Sequence, residues 1–183
     1  SVTRATRVAL NNDSALKMPL QACVKVYIGN SALRVLLDTG AMLSMIRTSV
    51  ADQLRYHDET RHCVSASRAL STPMNCEGAE KDKVIGRITR TSLVRILFKE
   101  PHFITGAGDA APRNSAVANL RDRTGTNSRE VDVAFCELDN LADPIIIGCP
   151  ELQEWGFYLE PETKSGGLGW VQLAQLGIAL PIC

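Results

Sequence analysis

Residues 34–46 read Arg-Val-Leu-Leu-Asp-Thr-Gly-Ala-Met-Leu-Ser-Met-Ile, and this stretch governs how the rest of the chain is interpreted. The apolar run 35–37 leads straight into Asp38-Thr39-Gly40, which is typical of a buried strand that enters a tight turn. An unpaired buried carboxylate costs several kcal/mol, so a chain rarely places one there without a use for it. The small neighbours suit such an acid, because Thr39 offers a hydroxyl, Gly40 allows close backbone approach and Ala41 adds no bulk.

The alternative for this stretch is a strand that ends in an ordinary turn, with Asp38 solvated. An Asp-Thr-Gly or Asp-Ser-Gly triplet is expected by chance in roughly one chain in ten of this size. The significance of the triplet therefore depends on its context. An apolar strand precedes it, and an apolar pattern resumes after it with Ser44 and Ile46.

The segment before the triplet has the pattern of a β-hairpin. Residues 20–28 alternate between apolar and polar positions, with Ala22, Val24, Val26 and Ile28 on one face. Residues 32–37 form a second strand after a Gly-Asn turn, and a turn of this composition between two such strands predicts a hairpin. Asp38 would then lie at the end of the second strand of this hairpin.

A second motif lies a hundred residues later. Residues 143–148 read Asp-Pro-Ile-Ile-Ile-Gly, and Pro150 follows at a position that suits the first turn of a short helix. A similar helix is predicted over residues 48–54, after the first motif.

The two motifs, Leu-Leu-Asp-Thr-Gly-Ala at 36–41 and the apolar run ending at Gly148, resemble those of the retropepsin-like aspartic proteases. These are the proteases of retroviruses and long-terminal-repeat retrotransposons, with some cellular relatives. The motifs occur in the family's order, and the resemblance covers roughly residues 19–160. It implies an all-β fold of the closed barrel type, with one or two short helices, that acts as a homodimer.

The resemblance also implies roles for individual residues. Asp38 would be the catalytic acid, with Thr39, Gly40 and Ala41 as its supporting loop and a Thr39 bond across the two-fold axis. The family's C-terminal strand helps to form the dimer interface, which would here be the apolar tail 170–183.

Two further elements follow from the same resemblance. Ile147 and Gly148 would support the site from beneath. A substrate flap would lie within residues 63–83, where Gly78 is the available glycine, although the family's viral members have several glycines there.

Aspartic protease chemistry needs two carboxylates about one hydrogen bond apart, which share a proton. The chain contains one Asp-Thr-Gly, and residues 122–125 read Asp-Arg-Thr-Gly with one residue too many. A two-fold homodimer that contributes one Asp38 from each copy supplies the missing acid.

The chain of 183 residues is predicted to be one domain over 19–183, preceded by an N-terminal arm over 1–18. Residues from about 100 to 128 carry glycines, prolines and scattered charge without periodicity. Because long structureless stretches are unusual inside a domain, this stretch is interpreted as an irregular insertion between two strands.

The composition bears on partners and cofactors. Twenty basic residues balance 20 acidic ones, and no run has the length of a membrane span, so neither a nucleic acid nor a membrane is expected as a partner. The six cysteines contain no C-x-x-C pair, and the spacing of His57, His62, Cys63 and Cys76 matches no strong zinc pattern, so no metal or other cofactor is expected. The reduced cysteines point to an intracellular location, either the cytoplasm or a virus-like particle.

The function that follows is an aspartic endopeptidase that cleaves extended polypeptides, in the first place its own retroelement polyprotein. The first alternative is a retropepsin-fold module that dimerises or binds peptides with little or no catalysis. The second alternative is an unrelated small β-domain with a chance triplet.

Overall fold

The computed structural model describes residues 19–77, 83–100, 127–161 and 168–183. Within these ranges the strands are β1 (Gln21–Ile28), β2 (Ser31–Asp38), β3 (Met45–Arg47), β4 (Val64–Glu77), β5 (Val84–Lys99), β6 (Ser128–Leu138), β7 (Ile145–Ile147), β8 (Phe157–Glu160), β9 (Trp170–Leu173) and β10 (Ile178–Pro181). The α-helices are α1 (Thr48–Tyr56) and α2 (Cys149–Glu154), and single 3-10 turns occupy Arg61–Cys63 and Ala174–Leu176. Neither helix is long and apolar enough to cross a membrane.

The predicted hairpin is present. β1 and β2 pair antiparallel from Ile28 opposite Ser31 at the turn to Gln21 opposite Asp38 at the open end. The alternation of β1 places its apolar face in the core, because Val24, Val26 and Ile28 are fully buried while the residues between them are more exposed. The hairpin therefore carries Asp38 to the end of a strand with one buried face.

Six of the strands close into a barrel. They are hydrogen bonded in the order β1-β2-β7-β3-β6-β5, and a pairing of Tyr27 with Leu97 joins β5 back to β1. β4 is added outside this ring on β5. The predicted fold class, an all-β closed barrel with two short helices, is confirmed. β7 occupies a central position, since it lies parallel to β2 on one side and antiparallel to β3 on the other.

The segment 63–83, which the resemblance assigns to the substrate flap, includes β4, one arm of an antiparallel hairpin with β5. The predicted flap residue Gly78 lies outside the described residues. The β4 arm is mostly exposed, but Cys76 near its end is buried and its Sγ lies 3.8 Å from Met45 Sδ. This contact fixes the end of β4 against β3, which begins directly after the Asp38 loop.

Helix α1 is attached to β6 by a buried charge pair. Glu137 is 3% exposed and accepts hydrogen bonds from Arg55 at 2.9 and 3.2 Å and from the Ser92 hydroxyl at 2.5 Å. Because a carboxylate in such a place needs several donors to offset its lost hydration, this network specifies how α1 sits on the barrel.

The C-terminal strand packs within a single chain, and its part in a dimer interface stays a prediction. β10 pairs with β9 in a separate three-stranded sheet, and Ile178, Ala179 and Leu180 are buried within a single chain. The tail also reaches the barrel, where the Cys183 N–H donates to the Cys23 carbonyl at 2.9 Å. The apolar character of the tail is thus explained by packing inside the chain, which the sequence pattern cannot distinguish from packing between chains.

The predicted irregular insertion and N-terminal arm fall mostly outside the described residues, which exclude 1–18 and 101–126. The insertion stays a prediction, and the structure describes the residues on either side of it. The Glu100 N–H donates to the Asn127 carbonyl at 2.9 Å, so the two ends are adjacent, and Ser128 already belongs to β6. The described residues on the two sides of 101–126 are therefore adjacent, between β5 and β6.

Gln172 in β9 is a polar residue whose side chain is buried. Its side chain is 0% exposed, and within the described structure neither its Oε1 nor its Nε2 has a hydrogen-bond partner. An unsatisfied buried polar group costs about 1–3 kcal/mol.

Replacing Gln172 with methionine keeps the volume and removes this cost. We expect Gln172→Met to raise the free energy of unfolding by about 1–2 kcal/mol, measured by urea denaturation. Gln175→Met, at an exposed position of the following 3-10 turn, is the matched control and should change stability little. A loss of stability in Gln172→Met would show that the amide is satisfied in solution.

Candidate active site

Asp38 ends β2 and is 0% exposed in the single chain. Two donors hold its carboxylate: the Gly40 N–H contacts Oδ1 at 2.7 Å, and the side-chain amide of Gln21 contacts Oδ2 at 3.0 Å. The first contact is the local turn bond that an Asp-x-Gly sequence favours, since an aspartate readily accepts from the backbone two residues on. The second comes from the neighbouring strand.

The pKa of Asp38 is raised above its ordinary value of 3.8, and burial of the carboxyl is the main cause. The hydrogen bonds from Gly40 and Gln21 act in the opposite direction, because they stabilise the charged form. Charge repulsion from Asp143 adds a smaller upward contribution. Burial therefore favours the protonated acid, whereas the two hydrogen-bond donors favour the carboxylate.

Thr39 ties the loop to the residue before β1. Its hydroxyl oxygen accepts from the Leu20 N–H at 2.8 Å, and its own N–H donates to the Leu20 carbonyl at 3.0 Å. The Thr39 hydroxyl is thus engaged within the chain, whereas the resemblance implies a bond across a two-fold axis, which stays a prediction.

The second motif supports the loop from β7 and α2. The Cys149 N–H donates to the Ala41 carbonyl at 2.7 Å, and the Gly148 N–H donates to the Ser44 hydroxyl at 3.0 Å. Ser44 in turn donates to Glu151 at 2.7 Å, so both ends of the loop after Asp38 are fixed to one short segment. The predicted association of the two motifs is therefore observed.

Gly148 is required by close approach. A β-carbon at this position would lie 2.6 Å from the Leu43 carbonyl oxygen and 2.8 Å from that of Ala41. Both contacts are with backbone atoms, so only a glycine fits without displacing the loop. Ile147, which precedes it, is fully buried and pairs with Leu37 at the end of β2.

Apolar side chains are exposed on both sides of this loop. Leu20, Met42 and Leu43 are 48%, 46% and 37% exposed, although all three lie next to residues of the fully buried Asp38 turn. Exposed apolar groups that cluster in this way are typical of a surface that another chain or a ligand covers.

Within the described residues, no group of three or more histidine, cysteine, aspartate or glutamate side chains lies close enough to bind a metal ion. The site is thus built from one carboxyl, its hydrogen-bond donors and a braced loop.

The structure brings the predicted residues Asp38, Thr39, Gly40 and Ala41 together with Ile147 and Gly148, and the catalytic role of Asp38 stays a prediction. It adds three residues that sequence reasoning missed: Gln21, which contacts the acid, and Ser44 and Glu151, which link the loop to α2. The signal for Gln21 was present, because the length of the hairpin turn fixes which residue lies opposite Asp38.

The chain has similarities to known proteins in sequence and in structure. Residues 24–107 match the sequence model of the family described as aspartyl protease. A search of curated proteins gives no match. Among solved structures, the retroviral protease-like domain of Ddi1 from Leishmania major is similar over 90% of this chain and 94% of that chain, with 12% sequence identity and a TM-score of 0.42.

Proposed function

We propose that this chain is a retropepsin-like aspartic protease, which hydrolyses peptide bonds as a homodimer in which each copy supplies Asp38. The observation that carries the proposal is the state of Asp38: a fully buried carboxyl with a raised pKa, on a loop that the second motif fixes in place. A single carboxyl cannot act as a base toward water and as an acid toward the peptide at the same time, so the proposed mechanism includes a second copy.

In the proposed mechanism the two Asp38 carboxyls share one proton. The ionised member takes a proton from water, which attacks the peptide carbonyl, while the protonated member polarises that carbonyl and then gives its proton to the leaving nitrogen. Two carboxylates so close cannot easily both ionise, so the pair titrates with two apparent pKa values that belong to neither residue alone.

The exposed apolar residues Leu20, Met42 and Leu43 support the dimer, because they surround the loop that must approach its counterpart. A two-fold interface buries the same patch on both copies and so covers these side chains in both. Water excluded in this way would also strengthen the electrostatic interactions of the two acids.

The proposed substrate is an extended polypeptide that lies between the acids and the β4–β5 hairpin and forms backbone hydrogen bonds, as peptides bound along strands do. Within this proposal the natural substrate is the chain's own retroelement polyprotein, cut in the cytoplasm or inside a virus-like particle.

Activity should depend on chain concentration. If the monomer is inactive, the rate of cleavage of a peptide library at about pH 5 rises with the square of chain concentration below the dimer dissociation constant and linearly above it. Analytical ultracentrifugation measures the same constant independently. A strictly linear dependence at all concentrations, with a monomer in the centrifuge, would contradict the shared site. A stable dimer that cleaves nothing would favour the peptide-binding alternative.

A further inference from the structure

The side chain of Gln21 is directed at the candidate catalytic acid. Gln21 lies directly opposite Asp38 in the β1–β2 ladder, and its Nε2 donates to Asp38 Oδ2 at 3.0 Å. The other carboxylate oxygen, Oδ1, accepts from the Gly40 N–H at 2.7 Å. Both oxygens of the acid are thus held by neutral donors from its own chain.

Two donors on two different oxygens fix the plane of the carboxylate. Each carboxylate oxygen has two acceptor positions, so one position on each remains available. One of these can receive the proton shared with a second acid, and the other can receive a water molecule. The Gln21 contact therefore orients the acid without exhausting its capacity to react.

The contact is not needed to hold the strands together. The β1–β2 ladder has eight residue pairs, and backbone hydrogen bonds join them whatever side chain stands at the first position. Gln21 is an exposed residue whose amide end alone reaches the acid. A purely structural role would be met as well by any residue that tolerates the end of a strand.

We propose that Gln21 is a positioning residue of the active site, which orients the Asp38 carboxylate and stabilises its ionised form so that it can act as the base. This inference rests on the proposed function for its catalytic meaning. Its physical part, the effect of Gln21 on the ionisation of Asp38, holds for the chain whether or not it cleaves peptides.

The groups that act on the charge of Asp38 come from three sides. From the start of β1 and from the turn itself, the neutral donors Gln21 and Gly40 lower its pKa. From the segment between β6 and β7, Asp143 raises it by charge repulsion. From the α2 side, the carboxylate of Glu151 is occupied by the Ser44 hydroxyl at 2.7 Å. Loss of the Gln21 donor removes one of the contributions that lower the pKa of Asp38, while burial and Asp143 still raise it.

The direct test is the titration of Asp38 followed by carbon-13 NMR of its carboxyl group in the full chain. Gln21→Met removes the donor at similar volume and should move the midpoint to higher pH, and Gln21→Glu should move it the same way by adding a carboxyl. Gln53→Met, the same change at an exposed position of α1, is the matched control and should leave the midpoint unchanged. Coincident midpoints in wild type and Gln21→Met would overturn the proposal.

The pH dependence of peptide cleavage gives the second readout. Because a hydrogen bond to a charged group contributes about 1.5–3 kcal/mol, kcat/KM of Gln21→Met at pH 4 should fall about tenfold or more. KM should change by less than about twofold, since the lost contact is with the acid and not with substrate. Gln53→Met should follow the wild-type profile.

The two readouts separate the two proposals. A shifted titration in a chain that cleaves nothing supports the role of Gln21 and counts against the peptidase alone. Cleavage by the wild type with pH profiles that superimpose for wild type and Gln21→Met supports the peptidase and counts against the role of Gln21.

Discussion

Replacing Asp38 with asparagine is expected to lower the rate of peptide cleavage by about a thousandfold or more while the dimer stays intact. General acid–base catalysis contributes about 10²–10⁴-fold for each group, and in a homodimer the substitution removes both acids at once. Asparagine has nearly the same shape, so the Gly40 N–H can still donate to its side-chain oxygen. The amide of Gln21 can turn its oxygen toward the new amide nitrogen, because Gln21 is exposed.

The measurement is kcat/KM for wild type and Asp38→Asn on the same peptide mixture, with the dimer dissociation constant of each determined by sedimentation. Equal dimerisation is the control, since a variant that fails to associate loses activity for a different reason. Cleavage that survives the substitution at comparable rate would remove Asp38 from the mechanism and with it the interpretation of the whole loop.

The same substitution should affect stability with a defined dependence on pH. The pKa of Asp38 is raised in the folded chain, chiefly by burial, so the folded state binds this proton more tightly than the unfolded state does. At pH values below the ordinary pKa of 3.8, burial of the protonated Asp38 does not lower the stability of the wild type. The wild type loses stability as the pH rises through the higher pKa of the folded state. Asp38→Asn carries no such titration.

We therefore expect Asp38→Asn to unfold at a higher temperature than wild type at pH 7, with the gap closing as pH falls toward 3.8. Thermal unfolding of both proteins across this range measures it. A gap that widens on acidification would mean that Asp38 is stabilised as a carboxylate in the fold, by donors stronger than the two observed.

The part of this fold that local pattern determines could be predicted from sequence. Strict alternation over residues 20–28 identified the buried face of β1, and a Gly-Asn turn identified the partner strand, because side-chain period and turn chemistry are local properties. Closure of the barrel could not be predicted in the same way. It depends on Tyr27 meeting Leu97, seventy residues away, and no local signal marks that pair.

Gln21 shows a different kind of omission. In a hairpin with a two-residue turn, Ile28 faces Ser31. Counting seven residues away from the turn along each strand then places Gln21 opposite Asp38. The pairing register could thus be predicted from the sequence. Gln21 was missed because a glutamine at the start of a strand carries no signal of a role in an active site. The packing partner of the C-terminal strand could not be predicted from the sequence, because apolar alternation fits burial within a chain and burial between chains equally well.

Substituting Gly148 with alanine is expected to damage the active site more than a single methyl group suggests. The added carbon would lie 2.6 Å from the Leu43 carbonyl oxygen, and its other close neighbour, the Ala41 carbonyl, already accepts the Cys149 N–H. Gly148 has a φ of −95°, which alanine adopts freely, so the effect comes from contact and not from backbone strain. Relief requires the loop to move away from β7, and Asp38 moves with it.

We expect Gly148→Ala to lower the free energy of unfolding by about 1–3 kcal/mol, the usual cost of overpacking. It should also lower kcat/KM about a hundredfold, because small displacements of a catalytic group are costly.

Ala51→Val is the control, since it adds volume to the core at a buried position of α1, away from the Asp38 loop and the β4–β5 hairpin. Urea denaturation and peptide cleavage of the two variants separate the explanations: equal losses would indicate general crowding. A selective loss of activity in Gly148→Ala indicates that β7 holds the Asp38 loop at its working position, since there the methyl group meets backbone that carries the acid.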